Sequence, residues 1–230
     1  MESLRRPIVY QGVTYPEYEM DFYTSNVYGK MYKDKDRALK PSCNRENYLK
    51  YCFCIGYSQF TAEQHRLFAE TFPDLISKSP LVSHYGLQIG NDRHELKTPM
   101  GFTFICNQVC PDHIDNNRSN NHHTNLMLVT QSENMLKCGP YKGKKYKSVR
   151  KTPENTYRVD IRWPNILDKN GKEFYISKNF KIQEEAVLGY NTMLEEVLLT
   201  VWGPDLGLKI YDFTYKNVIE TPVQEQLILR

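Results

Sequence analysis

Between residues 112 and 134 the chain gathers side chains able to hold a hard cation and to move a proton. Asp112 and His113 are adjacent, and an asparagine-rich run follows through Asn116, Asn117, Asn120 and Asn121. Asn125 and Asn134 then stand on either side of a short apolar stretch. A carboxylate and an amide oxygen are hard ligands, favouring magnesium or manganese over zinc. A cation so held stabilises charge on a phosphate and on a leaving oxygen. A histidine beside it can take a proton from an attacking water, because imidazole ordinarily titrates near neutral pH. An asparagine oxygen at the other ring nitrogen would fix the tautomer. The set suits phosphodiester hydrolysis, and nothing else in the chain offers a comparable constellation.

The flanking residues indicate how such a site is positioned. Phe102 to Val109 reads as a strand from its aromatic and β-branched residues. Pro111 is expected to end that strand, since proline cannot donate to a ladder. In a regular strand Asp112 and His113 would point to opposite faces, so a bend at Pro111 is expected if both serve one centre. Residues 115–124 are almost all Asn, His, Ser, Arg and Thr, a loop composition. Leu126 to Val129 returns as a strand. Thr130 and Glu133 then fit a capping box, which places Asn134 in the first helical turn. His122 and His123 are read as solvated loop histidines, not as zinc ligands.

Asp112-His113-Ile114-Asp115-Asn116-Asn117, continued through Asn125 to Asn134, resembles the HNH endonucleases, specifically the phage and intron-encoded homing type. The resemblance implies Asp112 as a metal ligand, His113 as the general base, Asn125 as the residue orienting the histidine and Asn134 as the second ligand. It also implies one magnesium or manganese ion per site. Asn116 stands where glycine is frequent in the family, but asparagine tolerates a left-handed backbone.

Upstream, Tyr23 to Tyr32, Leu39 to Ser42 and Tyr48 to Ile55 read as short strands punctuated by Gly29, Pro41 and Asn47. A helix from Gln64 to Phe72 follows, with Leu67, Phe68, Thr71 and Phe72 on one side. This order resembles the β-rich module that precedes the HNH core in homing enzymes, where the sheet lies on DNA. Lys30, Lys33, Lys35, Arg37 and Lys40 with Tyr28, Tyr32 and Tyr48 supply such a surface. His65 is read as a structural helix residue. Residues 73–101 show no clear period and read as an insertion.

Downstream, Lys137 to Arg158 holds eight lysines and arginines against the single acid Glu154, although the whole chain carries only +3. Such concentration suits docking on a phosphate backbone. Strands are expected at Tyr146 to Arg150, Tyr157 to Trp163 and Glu173 to Ser177, covered by helical segments from Gln183 to Asn191 and Met193 to Leu199. In the second strand Tyr157, Val159 and Ile161 alternate with Arg158, Asp160 and Arg162. With Gly171-Lys172, Phe180 and Glu184-Glu185-Ala186, these residues resemble the APETALA2-type DNA-binding domain. The resemblance implies DNA contacts from Lys147, Arg150, Arg158 and Arg162, with Lys144 and Lys145 beside them and Tyr175 less surely placed. Glu154 and the lengthened turn Trp163 to Asp168 depart from that family, so its specificity does not transfer.

The expected architecture is α+β: an N-terminal β-rich module (1–72), an insertion (73–101), an HNH core (102–140), a three-stranded sheet with a helix (141–200) and a tail (201–230) that docks back or forms a dimer surface. Hydrophobic residues make up 40% of the 230, enough for cores of this size. There is no apolar run for a membrane span and no signal-peptide core, which implies a cytoplasmic protein, phage-encoded on the resemblance. The six cysteines lack zinc-site spacing and are expected as reduced thiols. The leading expectation is a site-specific homing endonuclease acting on double-stranded DNA as a monomer or homodimer. A non-cleaving DNA-binding regulator and an HNH nuclease of defence or packaging are the alternatives.

Overall fold

A computed structural model of the chain describes residues 4–31, 35–55 and 58–219. The architecture is α+β, built from several small sheets and four helices among the described residues. By its contacts the chain forms two compact units, one of residues 1–94 and 106–134, the other of 95–105 and 135–230. The segment expected as an insertion is thus divided between them.

The first unit opens with an antiparallel sheet of β1 (Arg5–Tyr10), β2 (Val13–Asp21), β3 (Val27–Met31) and β4 (Lys35–Ala38) in chain order. The first two of these strands lie outside the sequence expectation, because their alternation is interrupted: β1 slips register at Pro7/Ile8. A second sheet of β5 (Ser42–Cys43), β6 (Leu49–Ile55) and β7 (Ser58–Glu63) follows. Asn47 turns the chain before β6 with a φ of 66°, as its residue type allows. Gly29, expected at a turn, lies inside β3.

Helix α1 (Gln64–Thr71) buries Leu67, Phe68 and Thr71, with Phe72 at its C-cap. Phe22 packs against the rings of Phe68 and Phe72 and also meets His123, so the loop before β12 rests on an aromatic cluster. That packing corrects the expectation of a solvated His123; burial also holds its pKa below the usual histidine value.

After β8 (Ser77–Lys78) and the short helix α2 (Pro80–Tyr85) come β9 (His94–Lys97) and β10 (Thr103–Cys106). Then β11 (Val109–His113) and β12 (Leu126–Thr130) form an antiparallel hairpin, with β8 added in parallel to β12. Pro111 does not end a strand. It lies within β11, opposite Leu128, and β11 is the edge of its sheet, where a missing N–H costs no ladder bond. Nor is Phe102 to Val109 one strand: β10 pairs with a strand of the second unit, and β11 is separate.

Helix α3 (Gln131–Lys137) begins where the capping box predicts. Glu133 N–H donates to Thr130 Oγ1 at 3.2 Å, and Thr130 N–H returns a bond to Glu133 Oε2 at 3.1 Å. The same carboxylate reaches further than a local cap. It accepts from Ser79 Oγ and, at 2.8 Å, from Leu81 N–H at the start of α2, and it is fully buried.

In the second unit, β13 (Val149–Lys151), β14 (Tyr157–Leu167), β10 and β9 form a sheet to which β15 (Glu173–Phe180) adds on β14. Residues 163–167, expected to lengthen a turn, instead prolong β14 past a register shift, and Ile166 and Leu167 pair with Phe104 and Thr103. Helix α4 (Gln183–Phe213) is broken at Gly203, whose φ of 75° precedes Pro204. It buries Tyr190, Leu194, Leu198 and Trp202, with Trp202 against Phe104. Gly189 is required where it stands, since a Cβ there would overlap the Phe180 ring. The tail docks on this unit as far as it is described: the buried Asn217 exchanges bonds with Lys147 and Asn191.

Glu133→Gln would turn an amide N–H toward donors that need an acceptor. Each buried donor left unpaired costs roughly 1–3 kcal/mol. Urea unfolding of the variant should show a loss of at least that size, while an exposed neighbour such as Gln131→Glu leaves the midpoint unchanged.

Candidate functional site

The loop from Ile114 to Thr124 is ordered by its own polar side chains. Asp115 Oδ1 accepts from Asn117 N–H at 2.8 Å and from Asn125 Nδ2 at 2.9 Å, and its Oδ2 accepts from Asn120 Nδ2 at 2.7 Å. Asn125 accepts at Oδ1 from Asp115 N–H and donates to the Asn120 carbonyl at 2.7 Å. Asn116 takes the left-handed conformation, with a φ of 60°. These are Asx-type turns, the use to which short amide and carboxylate side chains are suited. The bonds hold the Asp115 carboxyl below the usual carboxylate range, that from Asn120 foremost.

His113 ends β11 opposite Leu126 and is nearly buried, with 2% of its surface exposed. Its Nε2 lies 2.7 Å from Asn121 Oδ1. The hydrogen bonds of Asn125 go instead to Asp115 and Asn120, so the amide at the imidazole is Asn121. Neighbouring rings surround the imidazole: His65 at 5.1 Å and Tyr48 at 6.0 Å between centroids. Tyr48 in turn stacks on His65 and lies under the Arg118 guanidinium. Burial, with the charge of His113 next, lowers the pKa of His65 to about 3, so His65 is a neutral packing ring as expected.

Asp112 and His113 lie on alternate sides of the ladder, since β11 and β12 pair without a register shift. No bend at Pro111 brings them to one side. Asn134 comes from the first turn of α3 and hydrogen-bonds the thiol of Cys110. Cys110 is two residues before Asp112, hence on the same face of β11. The carboxylate and the amide therefore gather beside one strand face, while the imidazole occupies the next position along the strand. Burial pushes the Cys110 thiol up to about 11, which keeps it protonated and a poor metal ligand. Among the described residues no three His, Cys, Asp or Glu side chains cluster to hold a metal. One carboxylate and one amide oxygen are donors that a hard cation could share with water and phosphate oxygens.

Comparison with known proteins bears on this region first. Residues 107–136 match the HNH endonuclease family. Over 135 residues the chain is 32% identical to an uncharacterised HNH endonuclease of Acanthamoeba polyphaga mimivirus, covering 53% of this chain and 67% of that protein. The chain belongs to the HNH endonuclease family. Among solved structures it is similar to the HNH homing endonuclease I-HmuI, described for its DNA binding and cleavage, at 25% identity and a TM-score of 0.37. That match covers 59% of this chain and 56% of the other, so the chain spans little more than half of that enzyme.

In this HNH protein the basic residues expected at DNA fall into distinct environments. Lys40, Lys144 and Lys145 are exposed. The side chain of Arg37 and all of Lys33 lie outside the described residues. On the outer face of β14, Asp160 accepts from Arg150 Nε and Arg158 Nε, each at 2.9 Å, and from Tyr175 Oη at 2.6 Å. Arg158 also donates to Tyr175 Oη and Ser177 Oγ, and Arg162 pairs with Glu173. Lys147 departs from the expectation. Its Nζ donates to the carbonyls of Met135, Leu136 and Cys138, capping the last turn of α3, and burial lowers its pKa to about 8. An ammonium so engaged is not available to a phosphate.

The residues that sequence reasoning missed are Gln64 and Ser25. Gln64 Oε1 accepts from Asn121 Nδ2 at 2.9 Å, and Gln64 Nε2 donates to the Ser25 carbonyl. Neither carries a local signal, because each reaches the loop only through the tertiary fold.

Asp115 makes an acid limit expected. A carboxyl whose native pKa is lowered contributes stability that is complete above its ordinary value of 3.8 and is lost as pH falls through the native value. The Asn117 amide proton should shift in that acid range, and Asp115→Asn should abolish the shift. For Lys147, replacement by methionine should lower the melting temperature, because three carbonyls at the end of α3 lose their donor.

Proposed function

We propose that the chain is a metal-dependent endonuclease that hydrolyses phosphodiester bonds of double-stranded DNA, of the homing type. What supports this reading is that Asn134 hydrogen-bonds the Cys110 thiol two residues before Asp112, and that the imidazole at the following strand position is held by an amide, within the segment matched to the HNH family. A DNA-binding protein that does not cut requires none of these three side chains.

Asp112 and Asn134 would hold one magnesium or manganese ion through a carboxylate and an amide oxygen. The bound ion supplies Lewis-acid stabilisation of charge on the phosphate. His113 accepts the proton of the attacking water. Asn125 keeps the loop closed through Asp115 and Asn120, and so serves the imidazole by fixing the backbone that follows it. The surrounding burial keeps bulk water from the ring and strengthens its hydrogen bond.

DNA is held, in this reading, by Arg37 on β4, by Lys40 in the connection to β5, and by Lys144, Lys145, Arg150, Arg158 and Arg162 in the second unit, whose sheet and helix are read as APETALA2-like. The side chains of Arg150 and Arg162 are about two-thirds exposed, and Asp160 and Glu173 aim them. Ion pairs of this kind reduce the freedom lost on binding a phosphate or a base edge.

Supercoiled plasmid and genomic DNA incubated with magnesium or manganese test the proposal. The wild type should cut and chelation should stop it, while His113→Ala should lose about 10²–10⁴-fold in rate. Open circles would indicate nicking by a monomer, and linear product paired cuts by a dimer. Tight, salt-sensitive binding with no cutting of any DNA would favour a non-cleaving regulator.

A further inference from the structure

We propose that Gln64 and Asn121 act as a two-amide relay that sets which nitrogen of His113 carries the proton, making them positioning residues for the general base. The proposal rests on the reading of His113 as that base.

The relay is anchored at a group that can only accept. The Ser25 carbonyl takes the hydrogen bond of Gln64 Nε2, which turns Gln64 Oε1 toward Asn121. That oxygen takes the bond of Asn121 Nδ2 at 2.9 Å, which turns Asn121 Oδ1 toward the imidazole. His113 Nε2 stands 2.7 Å from that oxygen and must donate. In the neutral ring the lone pair then lies on Nδ1. Flipping either amide would set two oxygens or two N–H groups against each other, at a site where Ser25, Gln64, Asn121 and His113 are all nine-tenths buried or more.

The anchor itself is fixed. Ser25 holds a left-handed backbone with a φ of 55°, in a turn between β2 and β3 closed by Asp21. Its hydroxyl donates back to the Asn121 carbonyl, so Ser25 meets the loop directly as well as through Gln64. When the ring gains its proton, the Asn121 oxygen still accepts from Nε2 and stabilises the charge without competing for the proton. The N-terminal sheet thereby takes part in the chemistry, beyond any contact with DNA.

The test uses the full-length chain with ¹⁵N-labelled histidine, free of metal and DNA, and long-range proton–nitrogen correlation to read the His113 tautomer. The wild type should show a protonated Nε2 and an unprotonated Nδ1. Gln64→Leu and Asn121→Leu should mix the tautomers, while Asn121→Asp, which keeps an acceptor at Nε2, should restore the wild-type pattern. In cleavage assays the two leucine variants should lose about 10–100-fold in kcat with KM little changed, as residues supporting a reactive group do. A wild-type ring protonated on Nδ1 would overturn the relay, even if neither leucine variant folds. So would a folded Gln64→Leu protein with the wild-type tautomer. The tautomer is read without turnover, so a chain that shows the relay but cuts no DNA would refute the nuclease reading alone.

Discussion

The carboxylate of Glu133 is the point on which the hairpin-helix segment hangs. Fully buried, it accepts from Thr130, Ser79 and Leu81, and so joins the start of α3 to the start of α2 and to β8 beside β12. Burial alone pushes its pKa up, and the hydrogen bonds pull against that. A charge in such a place is tolerable only while every bond is made. The geometry of α3 is therefore tightly specified one residue before Asn134, where a small rotation would carry the amide away from the Asp112 face.

The neighbouring loop follows a similar logic with neutral groups. It has little apolar surface to bury, yet it is ordered because Asp115, Asn117, Asn120, Asn121 and Asn125 satisfy one another and the backbone. Polar networks of this sort are stable when complete and costly when broken. In the HNH segment the completed network ends at the His113 imidazole, which couples loop order to the orientation of that ring. The aromatic cluster of Phe22, Phe68, Phe72 and His123 supplies the apolar support that the loop lacks.

The second unit divides its positive charge between structure and surface. Lys147 closes the carbonyl end of α3, while Arg150 and Arg158 share Asp160 and Arg162 pairs with Glu173. Exposed pairs of this type add little stability. Their effect is to hold guanidinium groups in a defined array on the outer face of β14, with the apolar side of that strand turned to α4 through Val159, Ile161 and Trp163.

Local pattern was enough for what depends on neighbouring residues. The capping box at Thr130 and Glu133, the apolar face of α1, the alternation of β14 and the left-handed Asn116 all follow from residue type and spacing, since each rests on contacts a few positions apart. Asp112, His113, Asn125 and Asn134 could be picked out by type and spacing, but not the partners of each. What the pattern could not decide was which distant group meets which. Pro111 sits within a strand because β11 is an edge; Phe102 to Cys106 parts from the hairpin because β10 finds β14; Lys147 turns inward because α3 ends beside it. Above all, the partner of His113 is Asn121 backed by Gln64 and Ser25, the last of them 96 residues from Asn121 in the chain. Hydrogen bonds across such separations leave no period in the sequence, because only the packed fold brings their donors and acceptors together.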